Sequence, residues 1–505
     1  MRESLKAQRL FFPKLQDILF IALFVSVVGL GSRLFNIDGD LGRHITIGEY
    51  IINTLSIPRA DIFSHTMTGE ILTPHEWLSQ VIFAIAFRIA GLDSVVLLCA
   101  FVIALTFTML FGQSYKRSGL LLVSIGWTIL AAAAASLHWL ARPHIFTLLL
   151  VVLWVGAMDG FRRSEHNKWW VFPLIMLFWA NLHGAFIAGF VIGGMYFLGE
   201  LWDGWTSIDQ PRITRSRLRS WILIGATTLL ASLINPAGWR LWETSFGFIR
   251  NRYLVSHTVE YLPPNFHNSS TWPFLILIGL SILWLARTRF RIPGVYTLLL
   301  SGWTLMGLYS VRNVPIYSLI AAPILAEISS QQILQSKSLN RYAAFEKRLS
   351  SVESALMGYL VPVVGVVLVT FGLISGIDLD FDRTGNRFSP QVFPVEATAY
   401  LENNQPEGNM FNYFTWGGYL LYQLWPENAV FIDGQTDFYG ESFTRQYEQV
   451  ITLDEGWQSI FDQYEVDWVI MPVKSELVSH LLSDPNWTAI HMDEVAAILV
   501  KDQDG

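Results

Sequence analysis

Charge is scarce in this chain. Asp, Glu, Lys and Arg make up 15% of its 505 residues, against about 25% in soluble domains. Cysteine is nearly missing: Cys99 stands alone in an apolar run, so no disulfide can form within the chain. No glycine-rich loop carries the lysine that a nucleotide phosphate would need. No clear internal repeat is visible. The basic start "MRESLKAQRLFFPK" lacks a small-residue cleavage site and reads as the approach to a retained first membrane span. These absences argue against a string of soluble domains, a disulfide-stapled fold and a phosphate-loop enzyme.

Apolar residues, by contrast, make up 52% of the chain, with 20 Trp and 34 Phe. Such aromatics fill helical bundles and belt membrane interfaces. Eleven apolar runs read as spans: 18–35, 94–114, 120–137, 144–160, 169–181, 185–202, 221–235, 272–286, 293–310, 314–328 and 357–375. "WWVFPLIMLFWAN" is short enough for a half-span. Segment 78–90 carries Arg88 and belongs at the interface or as an extension of the helix after it.

The charge is unevenly spread. From Ile377 to Gly505 there are 22 acids and 5 bases, net −17, whereas the first 376 residues are net +10. The fold class expected is therefore mainly α. Residues 1–376 form a polytopic membrane bundle, and 377–505 form a small acidic α/β domain outside the membrane. In that domain "NMFNYF", "NAVFID", "VDWVIMPV" and "EVAAILVKD" read as strands of a mostly parallel sheet. Twenty of the 29 bases before residue 377 fall in clusters in alternate loops, at the N-terminus, 116–117, 162–168, 212–219, 287–291 and 337–348. The positive-inside rule then puts the N-terminus in the cytoplasm, and the loops 36–77 and 236–271 and the C-terminal domain outside. The acidic domain has the wrong sign for nucleic acid.

The polar residues that interrupt this pattern gather on the outer side. Ionisable groups at membrane depth are costly unless paired or solvated, so they mark functional cavities. "DGDLGRH" holds Asp38 and Asp40, spaced so that both carboxylates reach one cation or one substrate hydroxyl. Arg43 and His44 follow within a turn of an amphipathic helix expected to lie on the membrane. "PHEW" brings His75 and Glu76. Arg142 and His183 sit in "SLHWLARPH" and "WANLHGAF", and Arg312 in "SVRNVP". The nine bases outside the inner clusters are all arginine, whose planar fork suits a phosphate. Arg142 and Arg312 are the first choice for that task. Blander readings exist: Asp38 and Asp40 suit a helix cap, and the glycines of "WGGYLLY" and "FIDGQTDFYG" suit tight turns. Asp433 and Asp437 follow a strand end, where ligands often bind.

On these residues the chain resembles the GT-C superfamily of membrane glycosyltransferases, of the lipid A aminoarabinose transferase and protein mannosyltransferase type. "DGDLGRH" is similar to the acidic motif of that superfamily's first outer loop, and Glu76 in "PHEW" to a second acid before the next span. "GDLGRHI", "HEWLS", "NLHG", "INPAGW", "RNVP", "WGGYLLY" and "FIDGQTDFYG" also resemble a set of bacterial membrane proteins, some uncharacterised and some regarded as glycosyltransferases. The resemblance implies a polyprenyl-phosphate-linked sugar as donor and a lipid, glycan or protein acceptor. It implies Asp40 as catalytic base, with Glu76 and Asp38 as its partners. It also implies substrate contacts from Arg43, His44, His75, Arg142, His183 and Arg312. Asp38 and Asp40 would hold a divalent metal, Mg or Mn, where one is used. "TPHEWLSQ" departs from the superfamily's usual proline- and tyrosine-rich sequence at that point, which leaves the donor and acceptor class open. Two other functions fit the composition: a flippase for lipid-linked saccharide, and a non-catalytic scaffold. A flippase calls for repeats and mid-membrane polar groups. The chain shows polar groups at one surface instead.

Overall fold

The computed structural model describes residues 12–163, 168–206, 213–356, 358 and 360–502. Its first part is helical throughout. In chain order the helices are α1 (Leu15–Leu30), α2 (Asp40–Thr54), α3 (Trp77–Ser118), α4 (Leu121–Ala135), α5 (His144–Arg163), α6 (Val171–Leu182), α7 (Ile187–Thr206) and α8 (Arg215–Ser232). There follow α9 (Arg240–Arg250), α10 (Arg252–His257), α11 (Trp272–Arg287), α12 (Gly294–Tyr309), α13 (Val314–Gln335), α14 (Asn340–Ala355) and α15 (Leu360–Ile374).

Each of the eleven apolar runs is a helix. Seven helical stretches among the described residues are long and apolar enough to cross a bilayer by themselves. The chain is thus a multi-pass membrane protein. Helix α6, at 12 residues, is only about 18 Å long at 1.5 Å per residue, too short to span. Small residues let the central helices approach: Ala131, Ala134 and Ala135 of α4 and Ala321 and Ala322 of α13 are fully buried.

Segment 78–90 is the first part of α3. The helix breaks at Gly91, whose φ of +60° and ψ of −145° suit a residue without Cβ. Ser94 rescues the broken turn, accepting from the Ala90 N–H and donating to the Ala86 carbonyl. Arg88 pairs with Glu49 of α2, so the first part of α3 runs against α2. A Cβ on Gly48 would lie 2.1 Å from the Gln80 carbonyl oxygen.

The C-terminal part holds α16 (Val395–Leu401), β1 (Asn409–Asn412), α17 (Gly417–Leu424), α18 (Thr436–Ile451), α19 (Trp457–Gln463), β2 (Val466–Pro472), α20 (Glu476–Leu481), β3 (Trp487–Met492) and β4 (Ala496–Lys501). The sheet order is β1-β2-β4-β3; only β1 and β2 are parallel. The sheet is therefore mixed, and two strand readings need correction. "NAVFID" joins no sheet: Val430 bridges to Ser64 of the first outer loop, and the Asn412 side chain bonds Phe431 and Ile432. The edge strand β3, "WTAIHM", takes its place.

Helix α2 does not lie free on the membrane. Leu41 to Gly48 are buried, with α3 on one side and α17 on the other. Glycines set the α2–α17 contact: a Cβ on Gly42 would sit 2.4 Å from the Gly418 carbonyl oxygen, and one on Gly418 would sit 2.3 Å from that of Gly39. "WGGYLLY" thus needs its glycines for close approach, since Gly417 is helical and not a turn. One cluster of buried side chains runs from Phe24 and Leu41 through to Tyr419, Leu420 and Trp468.

Candidate functional site

The site begins where α2 begins. Asp38 accepts the Asp40 N–H at 3.2 Å, and Asp40 is the first residue of the helix. A negative group there is favoured by the helix dipole. Arg142 reaches both acids. It is positioned by the Ala141 N–H, which donates to the Leu34 carbonyl at 2.8 Å, and by Pro143 ahead of α5. Its Nε and Nη2 hydrogen-bond Asp38, Nη2 lies 3.2 Å from Asp40 Oδ2, and Nη1 donates to Glu260 Oε1 at 2.7 Å.

Glu260 passes the network on. Its second oxygen is 3.8 Å from Arg312 Nη1, which also donates to the Tyr261 hydroxyl at 3.0 Å. Arg312 Nη2 is 3.3 Å from His183 Nε2. A guanidinium can only donate, so Nε2 accepts and Nδ1 carries the proton, donating to Thr147 Oγ1 at 2.9 Å.

Glu76 closes the set. It is the residue before α3, whose start is pinned by Trp77 Nε1 on Asn181 and by Ser79 Oγ on the Leu182 carbonyl. Its carboxylate is ringed at 3.7–4.0 Å by Arg43, His44, His75 and His183. None of the four is close enough to be a direct hydrogen bond. The carboxylate is thus enclosed by one guanidinium and three imidazoles without a direct hydrogen bond to any of them. All nine residues singled out in the sequence therefore belong to one connected network, with Glu260 as the link between its two halves.

Burial acts on the acids unequally. Desolvation pushes the Asp38 carboxyl up to about 6 against the pull of Arg142. Glu260 is as deeply placed, but Arg142 and Arg312 together outweigh burial and hold it down at about 2. His44 is enclosed, and burial with Arg43 beside it keeps the ring neutral. Asp433 is pushed up to about 6 by burial, with Arg43 opposing.

The cation between Asp38 and Asp40 is thus a guanidinium. Their donor set does not fit a metal ion in this arrangement, because Arg142 occupies the space between the two carboxylates. Among the described residues no three His, Cys, Asp or Glu side chains are grouped to hold one.

The C-terminal part contributes residues that the sequence marks weakly. Gln435 accepts from Arg43 Nη1 at 2.9 Å, and Asp437 Oδ2 is 3.9 Å from His75 Nδ1. Gly434 lies so close to α2 that a Cβ there would meet Asp40 Oδ1 at 2.0 Å. "FIDGQTDFYG" is therefore part of the site. Glu260 in "VEYLPP" is among the charged residues on the outer side that the sequence marks, whereas Gln435 escapes a reading based on charged motifs because it carries no charge.

No family model and no curated protein matches the sequence. Solved structures do match the fold. AglB, an archaeal oligosaccharyltransferase from Archaeoglobus fulgidus in complex with an inhibitory peptide and a dolichol-phosphate, aligns with a TM-score of 0.61. The identity is 10%, over 91% of this chain and 69% of that one. The same enzyme tethered to an acceptor peptide containing an NVT sequon aligns at 0.58. ArnT from Cupriavidus metallidurans bound to undecaprenyl phosphate gives 0.48 at 12% identity, over 96% of this chain and 98% of that one. What the chain shares with AglB is the fold.

Proposed function

We propose that this chain is a membrane glycosyltransferase. It takes a sugar from a polyprenyl-phosphate carrier and passes it to an acceptor outside the bacterial inner membrane. Its N-terminus is cytoplasmic, and residues 377–505 form an outer acidic domain. The observation that supports this most is the convergence of Asp38, Asp40 and Glu260 on Arg142, one carboxylate away from Arg312. Two arginines linked in this way form a seat for a phosphate group beside a candidate base. The fold adds weight, since AglB was solved with a dolichol-phosphate.

In this reading Arg142 and Arg312 hold the lipid phosphate and stabilise the charge it gains on leaving. Asp40 accepts the proton of the acceptor hydroxyl or amine as that atom attacks the anomeric carbon. The bond between the anomeric carbon and the phosphate oxygen breaks, and polyprenyl phosphate departs with the electron pair. Glu76, set among His44, His75, His183 and Arg43, orients the acceptor, and Asp38 holds Arg142 in place.

The test is transfer by the purified protein in lipid from a panel of radiolabelled polyprenyl-phosphate sugars. Asp40→Asn should lower transfer about 10²–10⁴-fold while donor binding persists, the range for loss of a general base. Equal transfer by both proteins would discard Asp40 as base. Donor binding with no transfer by the wild type would point to a flippase or scaffold.

A further inference from the structure

The loop that joins α15 to the C-terminal part reads "DLDFDRTGN", residues 378–386. Carboxylates at alternate positions ahead of a glycine are a pattern by which loops wrap a hard cation. Gly385 has a φ of +73°, a left-handed turn that suits a residue without Cβ. The loop is anchored to the membrane part. The Phe381 N–H donates to the Gly29 carbonyl of α1 at 2.7 Å, and Asn386 Nδ2 donates to Asp93 of α3 at 2.6 Å. Beside the loop opens a cavity of about 460 Å³, with Asp93, Asp378, Asp380 and Asn386 in its wall.

Spacing alone does not make a site, but two orphaned oxygens stand beside it. Asp380 is only 7% exposed. Its Oδ2 accepts from the N–H and the hydroxyl of Thr384, while its Oδ1 is buried without a partner. Asn386 Oδ1 is buried and unpartnered as well. Donation to Asp93 fixes which way that carboxamide faces, so the orphan is its oxygen and not its nitrogen. Both side chains lie against Gly31, where a Cβ would meet Asp380 Cβ at 2.5 Å and Asn386 Oδ1 at 3.0 Å. Two buried acceptors held together with no donor call for an ion. The arginines nearby do not fill that role. Arg33 is taken by Asp382 at 2.7 Å. Arg383 and Arg387 line the same cavity, yet among the described residues neither forms an ion pair.

We infer that Asp380 and Asn386 hold a calcium ion, with Asp93 orienting Asn386 from outside the ligand set. No three acids are grouped here, so main-chain carbonyls and water from the cavity complete the shell. Calcium accepts such a mixed set, about six to eight oxygens in flexible geometry, whereas magnesium demands a near-ideal octahedron. The ion ties the start of the C-terminal part to α1 and α3. This holds whether or not the chain transfers sugar.

The experiment strips the full chain, in phosphatidylcholine nanodiscs, with EGTA and titrates it with radioactive calcium by equilibrium dialysis. The thermal midpoint is followed in parallel. Calcium should bind at about 10⁻⁴–10⁻³ M, the range of extracellular calcium modules, and the midpoint should rise with its concentration. Asp380→Asn should weaken binding at least about tenfold. It should still fold, because its new Nδ2 can donate to Asn386 Oδ1 and supply the missing partner without an ion. Asp93→Asn is the second variant, should the first not fold, and it too should weaken binding. Asp40→Asn should bind calcium as the wild type does. The inference is overturned if no calcium binds, or if magnesium or sodium at equal ionic strength raises the midpoint as much. It is also overturned if both loop-site variants bind as the wild type does, or if Asp40→Asn abolishes binding, which would move the ion to Asp38 and Asp40.

Discussion

Arg142 carries more negative charge than it can neutralise. Three carboxylates share one guanidinium, with Arg312 balancing only part of the surplus. Burial first, and the neighbouring Asp40 after it, push the Asp38 carboxyl up to about 6 against the pull of Arg142. The sign follows. The fold favours protonated Asp38, so the stability it contributes is present below the ordinary carboxylate range and is lost as pH rises through about 6. Glu260 is opposite: it stabilises above the ordinary range, and that contribution is lost only as pH falls through about 2. An incoming phosphate adds further negative charge, so it should bind best when Asp38 is protonated. Polyprenyl phosphate should therefore bind the wild type more tightly as pH falls from about 7 to about 5. Asp38→Asn should flatten that dependence and bind at neutral pH as the wild type does at low pH. The phosphate itself titrates near pH about 6, so the measurement is the difference between the two proteins. Identical pH profiles would remove Asp38 from the phosphate seat.

Among elements, the decisive contact is α2 on α17. Gly42→Ala would force a Cβ to within 2.4 Å of the Gly418 carbonyl oxygen, which belongs to backbone and cannot swing away. The helices must separate, at a cost of about 1–3 kcal/mol, the range for overpacking. A lower thermal midpoint and lost transfer would show it. Gly434→Ala differs, since the nearest atoms its Cβ meets are those of the Asp40 carboxylate. That side chain can rotate, so the midpoint should hold while transfer falls; unchanged transfer would argue against Asp40 needing its observed position. None of this contact was visible in the sequence, because it joins residues some 375 positions apart. The membrane helices were legible, since apolar runs of that length have few alternatives. Asp38, Asp40, Glu76, Arg142 and Arg312 were legible for a related reason: charge interrupting apolar sequence stands out. "NAVFID" misled because a short buried run looks the same whether a strand or a side chain takes its hydrogen bonds. Here Asn412 and the loop residues Phe63 and His65 take them. β3 was missed because an edge strand has only one partner and shows little alternation.

Across the whole molecule, charge and contact agree on an arrangement that one measurement can test. The C-terminal part, net −17 from Ile377 onward, is held by both long loops of the membrane part. His65 bonds the Met410 carbonyl at 2.9 Å, Thr66 the Phe431 carbonyl at 2.7 Å, and Asn251 bonds Glu441 at 3.0 Å. Among the described residues, Lys116 and Arg117 end α3 and Arg162 and Arg163 end α5, at the far ends of those helices from Glu76 and Arg142. Cys99 is fully buried, so the natural chain offers little background to a thiol reagent, and single cysteines can be placed freely. Glu407 and Ser351 are both exposed, one in the C-terminal part and one on α14 beside a basic cluster. With a membrane-impermeant maleimide on intact cells, Glu407→Cys should be labelled and Ser351→Cys should react only after permeabilisation. The reverse pattern would invert the molecule and put the acidic part in the cytoplasm. Either way the result places Asp40 too. The backbones of Gly42 and Gly418 touch, and Gln435 holds Arg43, so the network cannot face one side of the membrane while the acidic part faces the other. Labelling from outside would then require the sugar carrier to present its phosphate at the outer surface before transfer could occur.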